Sequence, residues 1–226
     1  MLFRSVNPSS NYTFSSGGIG NITSGNLTKS GPGNLTVNTA NAYDGPTLIN
    51  GGMLTAGNGS ALGTTNGITV ITNGGTLNVG GQNLGAEIVV VSGTGYTNGG
   101  ALLNYGAGQQ NAFRFVVLAG DTTFGGNARW DIRANPTAFL SSGGQPFNIT
   151  KVGDINNYVP LVNAVVDPAL GDIDVQGGGF GFEVGSTGLG DPTKTINIRS
   201  NAYFLTYQNT FPVAKRITIQ DGRSEE

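Results

Sequence analysis

The sequence predicts an all-β fold: a right-handed parallel β-helix forming a single domain over residues 1–226. Three observations carry this expectation. Charged residues make up only 11% of the chain, which holds 39 glycines, whereas soluble domains carry about 25% charged residues. Asn, Thr and Val are abundant while long helix-forming side chains are scarce, a balance that suits short strands and tight turns better than helices. The apolar residues fall in short alternating runs, each closed by Gly or Asn. Strands this short cannot easily build a wide antiparallel sheet, but they match the faces of a solenoid whose coils stack on one another.

The predicted strands of the first half are Leu35-Thr36-Val37, Thr47-Leu48-Ile49, Met53-Leu54-Thr55, Ile68-Thr69-Val70-Ile71 and Thr76-Leu77-Asn78-Val79. In each, aliphatic and polar residues alternate as a half-buried strand requires. Between them lie Gly31-Pro32-Gly33, Asn50-Gly51-Gly52, Gly57-Asn58-Gly59 and Asn73-Gly74-Gly75, residues that accept the positive φ of a sharp corner. Near the other end, Arg216-Ile217-Thr218-Ile219-Gln220 reads as a strand before the charged residues 221–226. Inward Leu, Val and Ile should stack into a narrow core, and aligned Asn or Thr should form hydrogen-bonded ladders. At roughly 20–25 residues per coil the chain supplies about nine to eleven coils. A rise of about 4.8 Å per coil then gives a rod of roughly 45–50 Å.

Composition also excludes function classes. Hydrophobic residues at 37% with a net charge of −2 argue for a folded chain, since disordered chains combine low hydrophobicity with high charge. There is no Cys and no His, which removes disulfides, thiolate chemistry, the commonest general base and most zinc sites. An acidic pI near 5.0 without a basic cluster makes nucleic acid an unsuitable partner. No apolar run approaches the roughly 18–20 residues of a membrane-spanning helix. The opening Met1-Leu2-Phe3-Arg4-Ser5 lacks the apolar core of a secretion signal, so the expectation is a processed chain or a segment of a longer polypeptide.

Internal similarity is visible. Leu27-Thr28-Lys29-Ser30-Gly31 recurs as Ile149-Thr150-Lys151-Val152-Gly153, and Gly59-Ser60-Ala61-Leu62-Gly63 is echoed by Ser186-Thr187-Gly188-Leu189-Gly190. Residues 25–85 and 147–207 therefore read as diverged copies of one multi-coil unit around an aromatic-richer middle segment. The run from Leu27-Thr28-Lys29-Ser30-Gly31 through Leu35-Thr36-Val37, Asn41-Ala42-Tyr43-Asp44-Gly45 and Thr47-Leu48-Ile49-Asn50-Gly51-Gly52-Met53-Leu54 resembles the autotransporter-associated β-strand repeat. That resemblance implies a β-helical stalk or passenger segment on a large bacterial surface protein. Pro46 and Met53 depart from the repeat, and nothing in the sequence resembles the membrane-embedded barrel that ends an autotransporter.

No catalytic, cofactor or metal residues are assigned from the sequence. The strongest enzymatic alternative is a carbohydrate-active β-helix. It would use Trp130 to stack on a sugar, the same-face pair Asp131 and Arg133, and the cluster Asp167, Asp172 and Asp174, where paired carboxylates would do acid–base work. Alternating polar residues on the outer face of ordinary strands explain the same pattern. Asp44, Asp121, Asp154 and Asp191 offer oxygen ligands for calcium but lack a calcium-loop spacing and read as turn residues. Gly57-Asn58-Gly59-Ser60-Ala61-Leu62-Gly63 superficially echoes a phosphate loop, with no helix after it. Tyr96, Tyr105, Phe113, Phe115, Phe124 and Trp130 are a ligand platform or, more simply, core filling. Asn-x-Thr triplets at Asn21, Asn26, Asn34 and Asn148 reflect the abundance of both residues.

The expected function is a structural or adhesive module at the bacterial surface or outside the cell. Its partners would be copies of itself stacked end to end, neighbouring coils of a longer chain, or surface glycans. The alternative is a carbohydrate-binding or polysaccharide-cleaving β-helix.

Overall fold

A computed structural model describes residues 9–15, 21–72 and 74–220. The opening residues 1–5, Asn73 of one predicted corner and the charged residues 221–226 lie outside the described residues.

The chain folds as an all-β solenoid of about nine turns in which each described strand pairs in parallel with a strand of an adjacent coil. Successive partners on one face lie 19 residues apart at the tightest, from Leu35 to Leu54, and 29 at the widest, from Ile132 to Leu161. Nine turns at about 4.8 Å each make a rod of roughly 43 Å.

Three faces wrap the core. The first runs from Tyr12–Phe14 through Asn34–Val37, Gly52–Ala56, Gly75–Asn78 and Leu102–Asn104. It continues through residues 122–126, Ile149–Lys151, Ile173–Val175 and Thr195–Ile198 to Arg216–Ile219. The second face holds Leu27–Lys29, Thr47–Ile49, Ile68–Ile71 and Ile88–Gly93, then residues 115–118, 138–141 and 164–166. The third begins as loops, whose backbones still stack: Asn41 N donates to Ser60 O at 2.9 Å and Thr64 N to Tyr43 O at 2.9 Å. From Gln109–Phe113 onward it becomes a ladder through Gly178–Glu183 and Ala202–Tyr207. Early coils thus have strands on the first and second faces, late coils on the first and third, and the middle coils on all three.

Side-chain alternation decides what fills the interior. Leu35, Leu54, Leu77, Leu102 and Phe124 stack in register on the first face, all with 0% exposure. Burying each such side chain contributes about 1.5–3 kcal/mol. On the outer side Thr36, Thr55 and Asn78 align, with Thr55 Oγ1 donating to Asn34 Oδ1 and Asn78 Nδ2 donating to Thr55 Oγ1. This is the polar ladder expected of stacked Asn and Thr.

Two lysines occupy core positions of these ladders. Lys151 pairs between Phe124 and Val175 on the first face, and Lys29 pairs with Ile49 on the second; both are fully buried. Each stem lies in the core and each ammonium turns into a corner. Lys29 Nζ donates to the carbonyls of Ser30, Gly31 and Gly51 at 3.1, 2.7 and 2.8 Å. Lys151 Nζ donates to those of Val152 and Gly177 at 2.7 and 3.0 Å. A sharp corner turns carbonyls away from the ladder, and a buried carbonyl without a donor is costly, so the ammonium serves as an internal clamp. Lys215 does the same for Leu170, Gly171 and Asp191 at 2.9, 2.7 and 2.8 Å. The matching segments around Lys29 and Lys151 thus share a role while sitting on different faces. The three-stranded middle coils shift the strand–corner–strand unit by one face.

Corner glycines obey two different constraints. Gly52 has φ +62°, and a Cβ there would stand 2.5 Å from Gly33 O and 2.7 Å from Lys29 Nζ. Gly75 does not have a left-handed φ; a Cβ there would run into the Ile49 carbonyl of the preceding coil.

Candidate functional site

The residues singled out for carbohydrate chemistry do not form an open site. Trp130 is fully buried, with Nε1 donating to Gly125 O at 2.9 Å and its ring edge-on to Phe113 and Phe124 at 5.7 and 5.2 Å. It points inward because it alternates with Asp131, so it cannot stack on a sugar. Asp131 faces outward yet has 0% exposure beneath two guanidiniums: Arg129 holds it through Nε at 2.8 Å and Nη2 at 3.0 Å, and Arg133 through Nε at 2.8 Å. Burial raises its carboxyl, against the pull of the two arginines.

The other carboxylates are engaged separately. Burial pushes Asp167 up, but the N–H groups of Ala169, Gly144 and Ser142 outweigh it and leave the carboxyl low. Asp172 is held low by Thr195, whose N–H donates at 2.7 Å. Asp174 is held low by the bidentate Arg199, both contacts being 2.8 Å. Asp44, Asp121, Asp154 and Asp191 accept from loop and turn residues: Thr64 and Asn66, Asn148, Asn156, and Thr193. Among the described residues no group of three or more His, Cys, Asp or Glu comes together. The glycine-rich stretch 57–63 is turns and bends followed by strand. The aromatic group divides: Phe113 and Phe124 join Trp130 in the core, Phe115 stacks on Phe139 outside at 4.6 Å, and Tyr96 and Tyr105 are exposed on loops.

Two other features were not legible in the sequence. The first is a groove of about 470 Å³ where the loop side meets the second face, lined by Asn41, Ser60, Thr64, Leu84 and Glu87 among others. Glu87 is only 3% exposed and makes no ion pair among the described residues. Its Oε1 accepts from Thr69 Oγ1 at 2.8 Å. Thr69 stacks in register on Thr47, which donates to Leu62 O at 3.0 Å and shares a 2.5 Å hydrogen bond with the Tyr43 hydroxyl. Burial pushes the Glu87 carboxyl up to about 7, partly opposed by Thr69.

This group and the buried lysines give opposite pH slopes. Glu87 is raised above its unfolded value of 4.5, so its protonated form contributes stability fully below pH 4.5, lost as pH rises through about 7. Burial lowers Lys29 and Lys215 to about 8 and Lys151 to about 7 from 10.5. Their contribution is present above 10.5 and lost as pH falls through those values. Thermal unfolding across pH 5 to 10 should therefore pass through a minimum Tm near neutrality. Glu87→Gln should flatten the acid limb alone; a Tm rising steadily from pH 5 to 7 in the wild type would contradict this account.

The second feature is the end of the solenoid that carries the last described strands. Ile217 and Ile219 pair with Ile196 and Ile198 on the first face, yet they are 47% and 74% exposed because no further coil covers them among the described residues. Leu205 and Tyr207, in the last described strand of the third face, are 38% and 53% exposed.

Known proteins place this geometry. The passenger-associated transport repeat matches residues 27–56. In the fold these are two successive strand pairs: Leu27–Lys29 beneath Thr47–Ile49 on the second face, and Asn34–Val37 beneath Gly52–Ala56 on the first. The chain is also 33% identical over 152 residues, 66% of its length, to the adhesin BmaC autotransporter of Brucella suis biovar 1 (strain 1330). The chain spans 4% of the length of that adhesin. No solved structure gives a significant match. The chain is thus a parallel β-solenoid that carries the passenger-associated transport repeat at residues 27–56 and is similar to an autotransporter adhesin.

Proposed function

We propose that this chain is a non-catalytic structural and adhesive module, a rigid β-helical rod presented at the bacterial surface or released from it. Its rods are extended by stacking coil on coil, either with neighbouring coils of a longer chain or with a second copy. The observation that carries this reading is the core at Ile217 and Ile219, inward-facing positions that no coil covers among the described residues and that are 47% and 74% exposed. Such an end presents both apolar side chains and unpaired strand groups, a ready template for another strand. The adhesin relative supports the surface and adhesive parts, and the small share of that adhesin spanned supports a place within a long rod. We also read residues 25–85 and 147–207 as diverged copies of one unit, offset by a face.

Light scattering on the purified chain across a concentration series tests the stacking. The wild type should associate, and the double variant Ile217→Lys, Ile219→Lys should remain monomeric at every concentration, because a lysine pair at that edge desolvates poorly. A wild type that stays monomeric throughout would refute stacking with a second copy.

A further inference from the structure

The groove at Glu87 is unexplained by a purely structural rod. Its lining includes Glu87, a residue that is 3% exposed and makes no ion pair among the described residues. A desolvated acid whose side-chain partner is one threonine hydroxyl, Thr69 Oγ1 at 2.8 Å, costs stability. Around it stand hydroxyl and amide groups, from Ser60, Thr65 and Asn83, and apolar walls from Leu62, Leu84 and Ala86. No Lys or Arg lines it. The volume, about 470 Å³, lies within the usual range of roughly 300–1,000 Å³ for small-ligand sites.

These features select a ligand class. A single buried acid with no basic lining excludes phosphate, sulfate and uronic acids. One carboxylate is too few for a calcium ion, which takes about six to eight oxygens. Hydroxyl and amide groups beside an apolar wall suit the mixed faces of a sugar ring, and the unpaired acid supplies the counter-charge for an ammonium. We propose that this groove binds an amino sugar carrying a free amine, with Glu87 pairing the ammonium and Ser60, Thr65 and Asn83 holding ring hydroxyls.

The charged and titratable groups around Glu87 leave that role to it. The Tyr43 hydroxyl is bonded to Thr47, and Asp44 is bonded to Thr64 and Asn66. Arg114 and Arg133 line an adjoining groove, reached across Asn83, Gly85 and Ala86. Their guanidiniums are engaged elsewhere: Arg114 donates to Thr137 O and Arg133 pairs with Asp131.

The test is calorimetric titration with glucosamine, N-acetylglucosamine, glucose and n-butylamine. It is run on the Ile217→Lys, Ile219→Lys background, so that failure of the stacking proposal and failure of this one are separable. Glucosamine should bind saturably, at least about tenfold more tightly than the other three, and more tightly at pH 8 than at pH 6. Glu87→Gln should abolish that preference while keeping the β-rich circular dichroism of the parent. Asn83→Ala, an exposed loop change with little folding risk, should weaken glucosamine several-fold. Equal binding of glucose would overturn the role of the acid. Equal binding of n-butylamine would overturn the sugar assignment, and no saturable glucosamine binding would overturn both.

Discussion

Trp130→Ala should lower stability by about 3–5 kcal/mol, the cost of emptying the space of a large buried aromatic side chain. For a chain of this size each kcal/mol moves Tm by roughly 2–4 °C, so a fall of about 6–20 °C is expected. Trp130 is the residue on which Phe113 and Phe124 converge edge-on, at 5.7 and 5.2 Å. Its loss also leaves Gly125 O without the indole donor at 2.9 Å. Trp130→Phe keeps much of the apolar volume and should cost less than half as much. A Trp130→Ala protein with unchanged Tm would place the indole outside the core and reopen a surface role for it.

Gly52→Val should rank with it, at about 3–5 kcal/mol, because three penalties coincide. A β-branched residue at φ +62° is strained. The added carbon overlaps the carbonyls of Gly31 and Gly33, and it presses on Lys29 Nζ at 2.7 Å, where the ammonium clamps the corner. Gly143→Ala is the matched control. Its φ is +61° but nothing lies within 4 Å of the new carbon, so only the backbone penalty remains, on the order of 1 kcal/mol. Differential scanning calorimetry on the pair separates corner packing from corner conformation. Equal losses in the two variants would show that the close approach at Gly52 contributes nothing.

The strands were legible where alternation and punctuation coincide. Thr47-Leu48-Ile49 and Ile68-Thr69-Val70-Ile71 match the observed strands Thr47–Ile49 and Ile68–Ile71, and Thr76-Leu77-Asn78-Val79 falls one residue from Gly75–Asn78. Each is bounded by residues that can turn a corner, and each has the period of two that a strand imposes. Which face a strand occupies was not legible. Leu27-Thr28-Lys29 and Ile149-Thr150-Lys151 are alike in sequence because both precede a clamped corner, and a three-sided coil offers that corner more than once.

The candidate site was less legible for a related reason. Lysine and glutamate read as surface residues, since they are almost never fully buried without a partner. Lys29 and Lys151 find theirs in backbone carbonyls that no sequence pattern marks. Glu87 finds only a threonine hydroxyl. In Trp130-Asp131-Ile132-Arg133 the alternation already groups Trp130 with Ile132 and Asp131 with Arg133; what it does not mark is that Arg129 and Arg133 bury the outward Asp131.

The proposed stacking surface is the end of the rod at Ile217 and Ile219. Small-angle X-ray scattering over a concentration series measures length and cross-section together. The particle should lengthen with concentration, from roughly 43 Å for nine turns, at a constant cross-section. A particle that thickens as it associates, or a compact one whose dimensions never change, would contradict that stacking.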